Sequence, residues 1–292
     1  MRPLVQLRED LKFSRELLDA VDVLRTGALS RFQSLSRRGQ HFDEFKIQLS
    51  DFMTIMDVDA QQHVFLSGGG AGARSKAIMM VTSDEGFLGG LNTQVMQAGL
   101  EQSSVADELI VIGERGARYL SEDQKTAYLF WPAADDEKIG HRARALRDFF
   151  VERMKRRQYQ SVWAVYPRFV SLGIQMPEVV KLLPCPELFG SRERTVPFGK
   201  RRIDPLVEPS MAEVIESLVR MHLAQRLTDI LLESKLSEEA ARVTHLESSR
   251  EEIQQARQQQ WQEYFKRSHE KSDKNIREIF SGQIQWKHRL PG

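Results

Sequence analysis

Two glycine clusters are the residues of this 292-residue chain whose spacing comes nearest to chemistry. Where closely spaced glycines join a strand to a helix, backbone N–H groups can converge on a phosphate. Gly68, Gly69, Gly70 and Gly72, followed by Arg74, Ser75 and Lys76, have the composition of such a cradle. They lack a Gly-Lys-Ser/Thr ending and precede the first apolar run, so they read as a flexible connection. The second cluster lies in Thr82-Ser83-Asp84-Glu85-Gly86-Phe87-Leu88-Gly89-Gly90-Leu91-Asn92, directly after the apolar run Ala77–Val81. That is where a nucleotide-binding α/β domain carries its phosphate loop. The interval is G-x-x-G-G, however, not G-x-G-x-x-G, and Asp84 and Glu85 would repel pyrophosphate. A structural turn at a helix start is expected, with no bound cofactor.

Other reactive constellations are missing from the sequence. His41, His63, His141, His222, His245, His269 and His288 never form H-x-x-x-H or H-E-x-x-H, so no helical metal site has a ligand set. Cys185 stands alone, which excludes an internal disulfide and points to a reducing compartment. No G-x-S-x-G nucleophile motif occurs. Arg142, Arg144, Arg147, Arg153, Lys155, Arg156 and Arg157 make a basic helix that reads as a solvated face. Lys200-Arg201-Arg202, in a proline-bounded loop, suits a partner surface or lipid headgroups. The 42 Lys+Arg against 41 Asp+Glu leave a net charge of +1, without the surplus a nucleic-acid binder carries.

The elements around these residues are of two kinds. From Leu4 to about Met56, apolar residues recur at Leu7, Leu11, Leu17, Leu18, Val21, Leu24, Ala28, Leu29 and Phe32, the rhythm of one long amphipathic helix weakened by Gly27 and Gly39. A second helix is predicted after Pro209, where Ser210 and Glu213 have the spacing of a capping box and proline is absent until Pro291. Between them, apolar runs at 77–81, 109–112, 127–131 and 162–166 alternate with helical patterns near 91–102, 114–120 and 138–157. That is a largely parallel sheet covered on both faces, over roughly 74–190. The expected organisation is a coiled-coil helix over 1–66, an α/β foot domain with its linker and basic loop over 67–209, and a coiled-coil helix and tail over 210–292. The terminal helices should pair antiparallel. No stretch approaches the length that spans a bilayer, and the N-terminus lacks the pattern of a signal peptide.

The segment 82–92 resembles the T-S-D-R-G-L-C-G-G-L-N motif of the gamma subunits of F-type ATP synthases. Thr82, Ser83, Asp84, Gly86, Gly89, Gly90, Leu91 and Asn92 match, while Glu85, Phe87 and Leu88 depart. Glu208-Pro209, then Glu233-Ser234 and Ser237-Glu238-Glu239-Ala240-Ala241-Arg242, are similar to that family's E-P and E-S-x-x-S-E-x-A-A-R at the start of its long helix. The resemblance implies a Rossmann-like α/β domain inserted between N- and C-terminal helices that form an antiparallel coiled coil. It implies a central-stalk rotor without a catalytic site of its own. Its partners would be the alpha and beta subunits of the hexamer, the epsilon subunit and the membrane c-ring, on the cytoplasmic face of a bacterial inner membrane. The alternative is a non-rotary coiled-coil adaptor on the same fold. By the same resemblance Lys200, Arg201, Arg202, Pro205 and Val207 would meet the c-ring. Arg267, His269, Lys274 and Asn275 fall where the family contacts the hexamer, and they differ in type from its A-R-Q and T-Q-E. This suggests a divergent or alternative form of the enzyme.

Overall fold

Strands without polar alternation must be covered on both sides, and the computed structural model, which describes residues 3–38, 64–67, 75–123, 127–185 and 210–287 with side chains through 280, shows how. Strands β1 (Ser75–Val81), β2 (Glu108–Ile112), β3 (Tyr128–Trp131), β4 (Tyr159–Ser171) and β5 (Ile174–Leu183) form one sheet in the order β3-β2-β1-β4-β5. The first four run parallel, and β5 pairs antiparallel with β4. Helices are α1 (Leu4–Arg38), α2 (Val64–Ser67), α3 (Leu91–Gln102), α4 (Glu114–Asp123), α5 (Ile139–Lys155) and α6 (Met211–Lys287). The expected cluster Gly68–Gly72, the helical continuation past Arg38, and Lys200, Arg201, Arg202, Pro205, Val207, Glu208 and Pro209 lie outside the described residues.

One face of the sheet packs on α3 and α4 through Val95, Met96 and Leu120. The other takes α2, α5 and the first turns of α6. Ile215, Leu218, Val219, Leu223, Leu227, Ile230 and Leu231 recur at helical spacing and join the same buried cluster as Leu146, Phe150 and Val162. The first turns of the long helix are therefore part of this domain's core. Its start is fixed by Ser210, whose Oγ accepts the Glu213 N–H at 3.3 Å.

The chain divides into two compact units, residues 1–27 with 244–292, and residues 28–243. In the first, partners on α6 fall in number as those on α1 rise. Ser14 Oγ donates to Gln260 Oε1 at 2.7 Å, Asp22 meets Arg250 at 2.8 Å, and Arg25 meets Glu247 at 3.0 Å. The two helices are thus antiparallel, with Leu7, Leu11, Leu18 and Val21 buried on α1 and Leu246 on α6. The second unit holds the sheet and its covering helices.

Candidate functional site

The segment after β1 is held by its own side chains. The Thr82 hydroxyl donates to the Ile112 carbonyl at 2.7 Å and accepts the Gly116 N–H at 3.0 Å, tying the ends of β1 and β2 to the start of α4. Asn92 Oδ1 accepts the Ser83 N–H at 3.1 Å, while Asn92 Nδ2 donates to Ser83 Oγ at 2.9 Å. Ser83 Oγ in turn donates to the Glu85 carbonyl at 2.8 Å. Asp84 Oδ1 accepts the Glu114 N–H at 2.8 Å, which caps α4 from a distant loop. These hydroxyls and this carboxylate are engaged in holding backbone, which accounts for the types of residue found here without a reaction.

The glycines serve geometry. Gly89 and Gly90 have φ of 58° and 90°, and Gly90 stands at the N-cap of α3 without a side-chain cap. They turn the chain from the loop into the helix. Leu88 and Leu91 are then buried against Ala241 of α6.

That contact joins the two family-like motifs in space. Ser237, Glu238, Glu239, Ala240, Ala241 and Arg242 are all buried, although four of the six are polar or charged. The small side chains at Ala240 and Ala241 let α6 approach closely. Arg242 Nε donates to the Gly86 carbonyl at 3.4 Å, its Nη2 lies 3.0 Å from Glu85 Oε2, and Nη1 pairs with Glu239. Arg31 of α1 reaches both Glu85 and Glu239 at 3.5 Å. Next to it Phe32 packs on Phe169 of β4, ring centroids 5.5 Å apart.

One turn earlier on α6, Glu238 accepts from Ser234 Oγ and from Lys235 Nζ, each at 3.3 Å. Burial pushes the Glu238 carboxyl up from its ordinary value of 4.5, against the pull of Lys235 and Arg242. Burial alone would lower Lys235, but the Glu238 carboxylate prevails and raises it. A raised carboxyl means that the fold favours the protonated acid. That contribution is complete below 4.5 and is lost as pH rises through the folded value. Glu238→Gln stays neutral throughout. It should match the wild type at low pH and exceed it near pH 8 in urea melts run at both pH values. Parallel stability curves would show instead that Lys235 offsets the burial of the carboxylate completely.

The same helix occupies the place where a nucleotide would be expected on such a sheet. Open parallel sheets bind ligands in the crevice beyond the carboxyl ends of their strands. Here Leu231, Ser234, Lys235 and Glu238 of α6 fill the space beyond Val81, Thr82 and Ile112, leaving a cavity of about 10 Å³, room for one water. ATP or NAD titrated into the chain should release no heat of binding. A micromolar dissociation constant would mean that α6 can leave the crevice.

Among the described residues no group of three or more His, Cys, Asp or Glu could hold a metal ion, and no helix is long and apolar enough to cross a membrane. The motif residues Thr82 to Asn92 and Ser237 to Arg242 are brought together. Arg267, His269, Lys274 and Asn275 lie elsewhere on α6, in the other unit. Arg267 pairs with Glu263 at 3.3 Å and Lys274 with Glu278 at 3.9 Å, while His269 and Asn275 are exposed. Sequence reasoning missed Arg31 and Lys235. Lys235 had a signal in its i,i+3 spacing to Glu238, and Arg31 had none.

A family model described as ATP synthase matches residues 18–284. The ATP synthase gamma chain of Pelotomaculum thermopropionicum is 28% identical over 179 residues, 59% of this chain and 60% of that one. The gamma chain of Opitutus terrae is 21% identical over 253 residues, 83% of this chain and 84% of its own. The aligned region thus spans about three fifths of the first relative and more of the second. Among solved structures, a chain of the Euglena gracilis mitochondrial ATP synthase, seen with OSCP, F1 and c-ring in rotational state 3, superposes with a TM-score of 0.71 at 18% identity, covering 99% of this chain and 97% of that one. A chain of the rotor of the same enzyme in rotational state 1 gives 0.64 at 17% identity, covering 91% and 98%. At these identities the structural likeness speaks to the fold.

Proposed function

Because the chain belongs to the gamma family of ATP synthases, we propose that it is the central-stalk rotor subunit of an F-type enzyme, coupling ion flow through a membrane c-ring to ATP synthesis or hydrolysis on an alpha/beta hexamer. It is a non-catalytic subunit in this reading. Its partners are the alpha, beta and epsilon subunits and the c-ring, and its place is peripheral, on the cytoplasmic face of a bacterial inner membrane. One observation carries the reading. Two motifs more than a hundred residues apart in sequence meet where α6 is locked to the sheet domain, with Arg242 Nε on the Gly86 carbonyl. A rotor must pass torque between a helix and the domain below it, and such a joint has that use without any reacting group.

From the resemblance to the gamma subunits we also propose that Lys200, Arg201, Arg202, Pro205 and Val207 meet the c-ring and that Arg267, His269, Lys274 and Asn275 meet the hexamer. The decisive experiment attaches a bead to this chain in a complex assembled with its alpha and beta subunits. Stepwise rotation on ATP addition is expected. A chain that does not assemble with an ATPase-active hexamer, or that stays still while the hexamer hydrolyses ATP, would overturn the rotor reading.

A further inference from the structure

Glu85 stands where the motif it resembles has arginine, and its surroundings in the fold are correspondingly arranged. Glu85 lies 3.0 Å from Arg242 and 3.5 Å from Arg31, and both arginines also meet Glu239. The four charges form a closed square in which every neighbour is of opposite sign. An arginine at position 85 would put three positive charges around Glu239 and open the square. The square also joins three segments, α1, the loop after β1, and α6. Two of its corners, Glu239 and Arg242, are buried, while Arg31 and Glu85 are 53% and 60% exposed.

Resting on the rotor reading, we propose that the Arg31–Glu85 pair is an ionic strap that fastens α1 to the joint, so that both helices of the shaft pass torque to the sheet domain. Phe32 on Phe169 seats the next residue of α1 against the β4–β5 ribbon, so the strap closes a contact already aligned by packing. Without the Arg31–Glu85 pair, α6 stays clamped by its buried corners, and α1 is held at this level by the Phe32 contact and the remaining Arg31–Glu239 pair. Arg31 and Glu85 act as positioning residues and touch no reactant. Because their side chains are more than half exposed, mobile ions screen the pair. The tightness of coupling in this enzyme therefore depends on ionic strength through this pair.

The test compares ions pumped per ATP hydrolysed in vesicles carrying the whole complex, with wild-type chain, Arg31→Ala, Glu85→Ala, the double variant and Arg31→Lys. Each alanine variant should lower the ratio about threefold, with hydrolysis unchanged. The double variant should lose less than the sum of the two single variants, since both remove the Arg31–Glu85 contact they share, while Arg31→Ala alone also removes Arg31–Glu239 and Glu85→Ala alone also removes Glu85–Arg242. Arg31→Lys should retain most of the ratio. Raising salt from about 50 to 500 mM should lower the wild-type ratio more than that of the double variant. Additive losses, an unchanged ratio in either alanine variant, or equal salt dependence of wild type and double variant in a pumping complex would overturn the strap alone. Failure of the wild-type chain to join an ATPase-active complex would overturn the rotor reading, and the strap's role in coupling with it.

Discussion

Arg242→Ala is expected to weaken the joint by about 3 kcal/mol, the usual cost of breaking a buried pair by removing one member. The side chains of Arg242 and Glu239 are 7% and 6% exposed, so water cannot take the place of the lost partner at Glu239. The variant also leaves the Gly86 carbonyl without the Nε donor and removes the nearer of the two cations on Glu85. A melting temperature lower by on the order of 10 °C should follow, with pumping per ATP falling alongside it in the assembled complex. Arg242→Lys should not restore either property, because one ammonium cannot serve a carbonyl and two carboxylates held in a planar fork. Arg242→Met combined with Glu239→Gln should recover most of the stability, since it removes both buried charges together. It should not recover coupling, because the tie to the loop is still missing. If Arg242→Ala melts with the wild type, the two motifs meet without being fastened.

The strands buried on both faces could be read directly, because continuous runs such as Ala77–Val81 and Leu109–Ile112 have no other stable placement. Strand β5 was not anticipated. It is an edge strand, half exposed along most of its length and containing Pro177 and Glu178, so neither apolar continuity nor clean alternation marks it. The signal present was Leu172-Gly173, a two-residue turn between strand-like runs. For the loop at 82–92 the glycine spacing predicts a turn at a helix start, and Gly89 and Gly90 do turn the chain into α3. What the two acids of that loop do was not legible. Asp84 caps a helix that begins thirty residues later, and Glu85 pairs with an arginine more distant still, relations that no local pattern encodes. Ser237-Glu238-Glu239-Ala240-Ala241-Arg242 looks like an ordinary solvated helix face by composition. The adjacent alanines were the hint that something packs there closely enough to bury its charges.

Gly113→Ala should be nearly as damaging, and it tests the other end of the joint. Gly113 follows β2 with φ of 96°, and a Cβ there would lie 2.2 Å from the Thr82 carbonyl oxygen and 2.9 Å from Thr82 Oγ1. The first obstacle is backbone, so no rotamer change relieves it. Thr82 cannot withdraw cheaply either, because its N–H donates to the Ile112 carbonyl at 2.8 Å and its hydroxyl accepts from Gly116. Forcing the ends of β1 and β2 apart, together with the left-handed backbone now required of an alanine, should cost about 3 kcal/mol in denaturant melts. The strain passes into the joint through Ser83 and Asp84, which follow Thr82 directly. The Ser83 amide, bound to Asn92, and the Glu114 amide, bound to Asp84, should therefore lose protection from hydrogen exchange before the centres of β1 and β2 do. Gly27→Ala is the matched control. A Cβ there meets nothing within 4 Å, and Gly27 lies inside α1, so alanine should stabilise by about 0.5–1 kcal/mol. If Gly113→Ala melts within error of the wild type, the two strand ends separate freely, and the loop cannot hold its side of the joint in the way described.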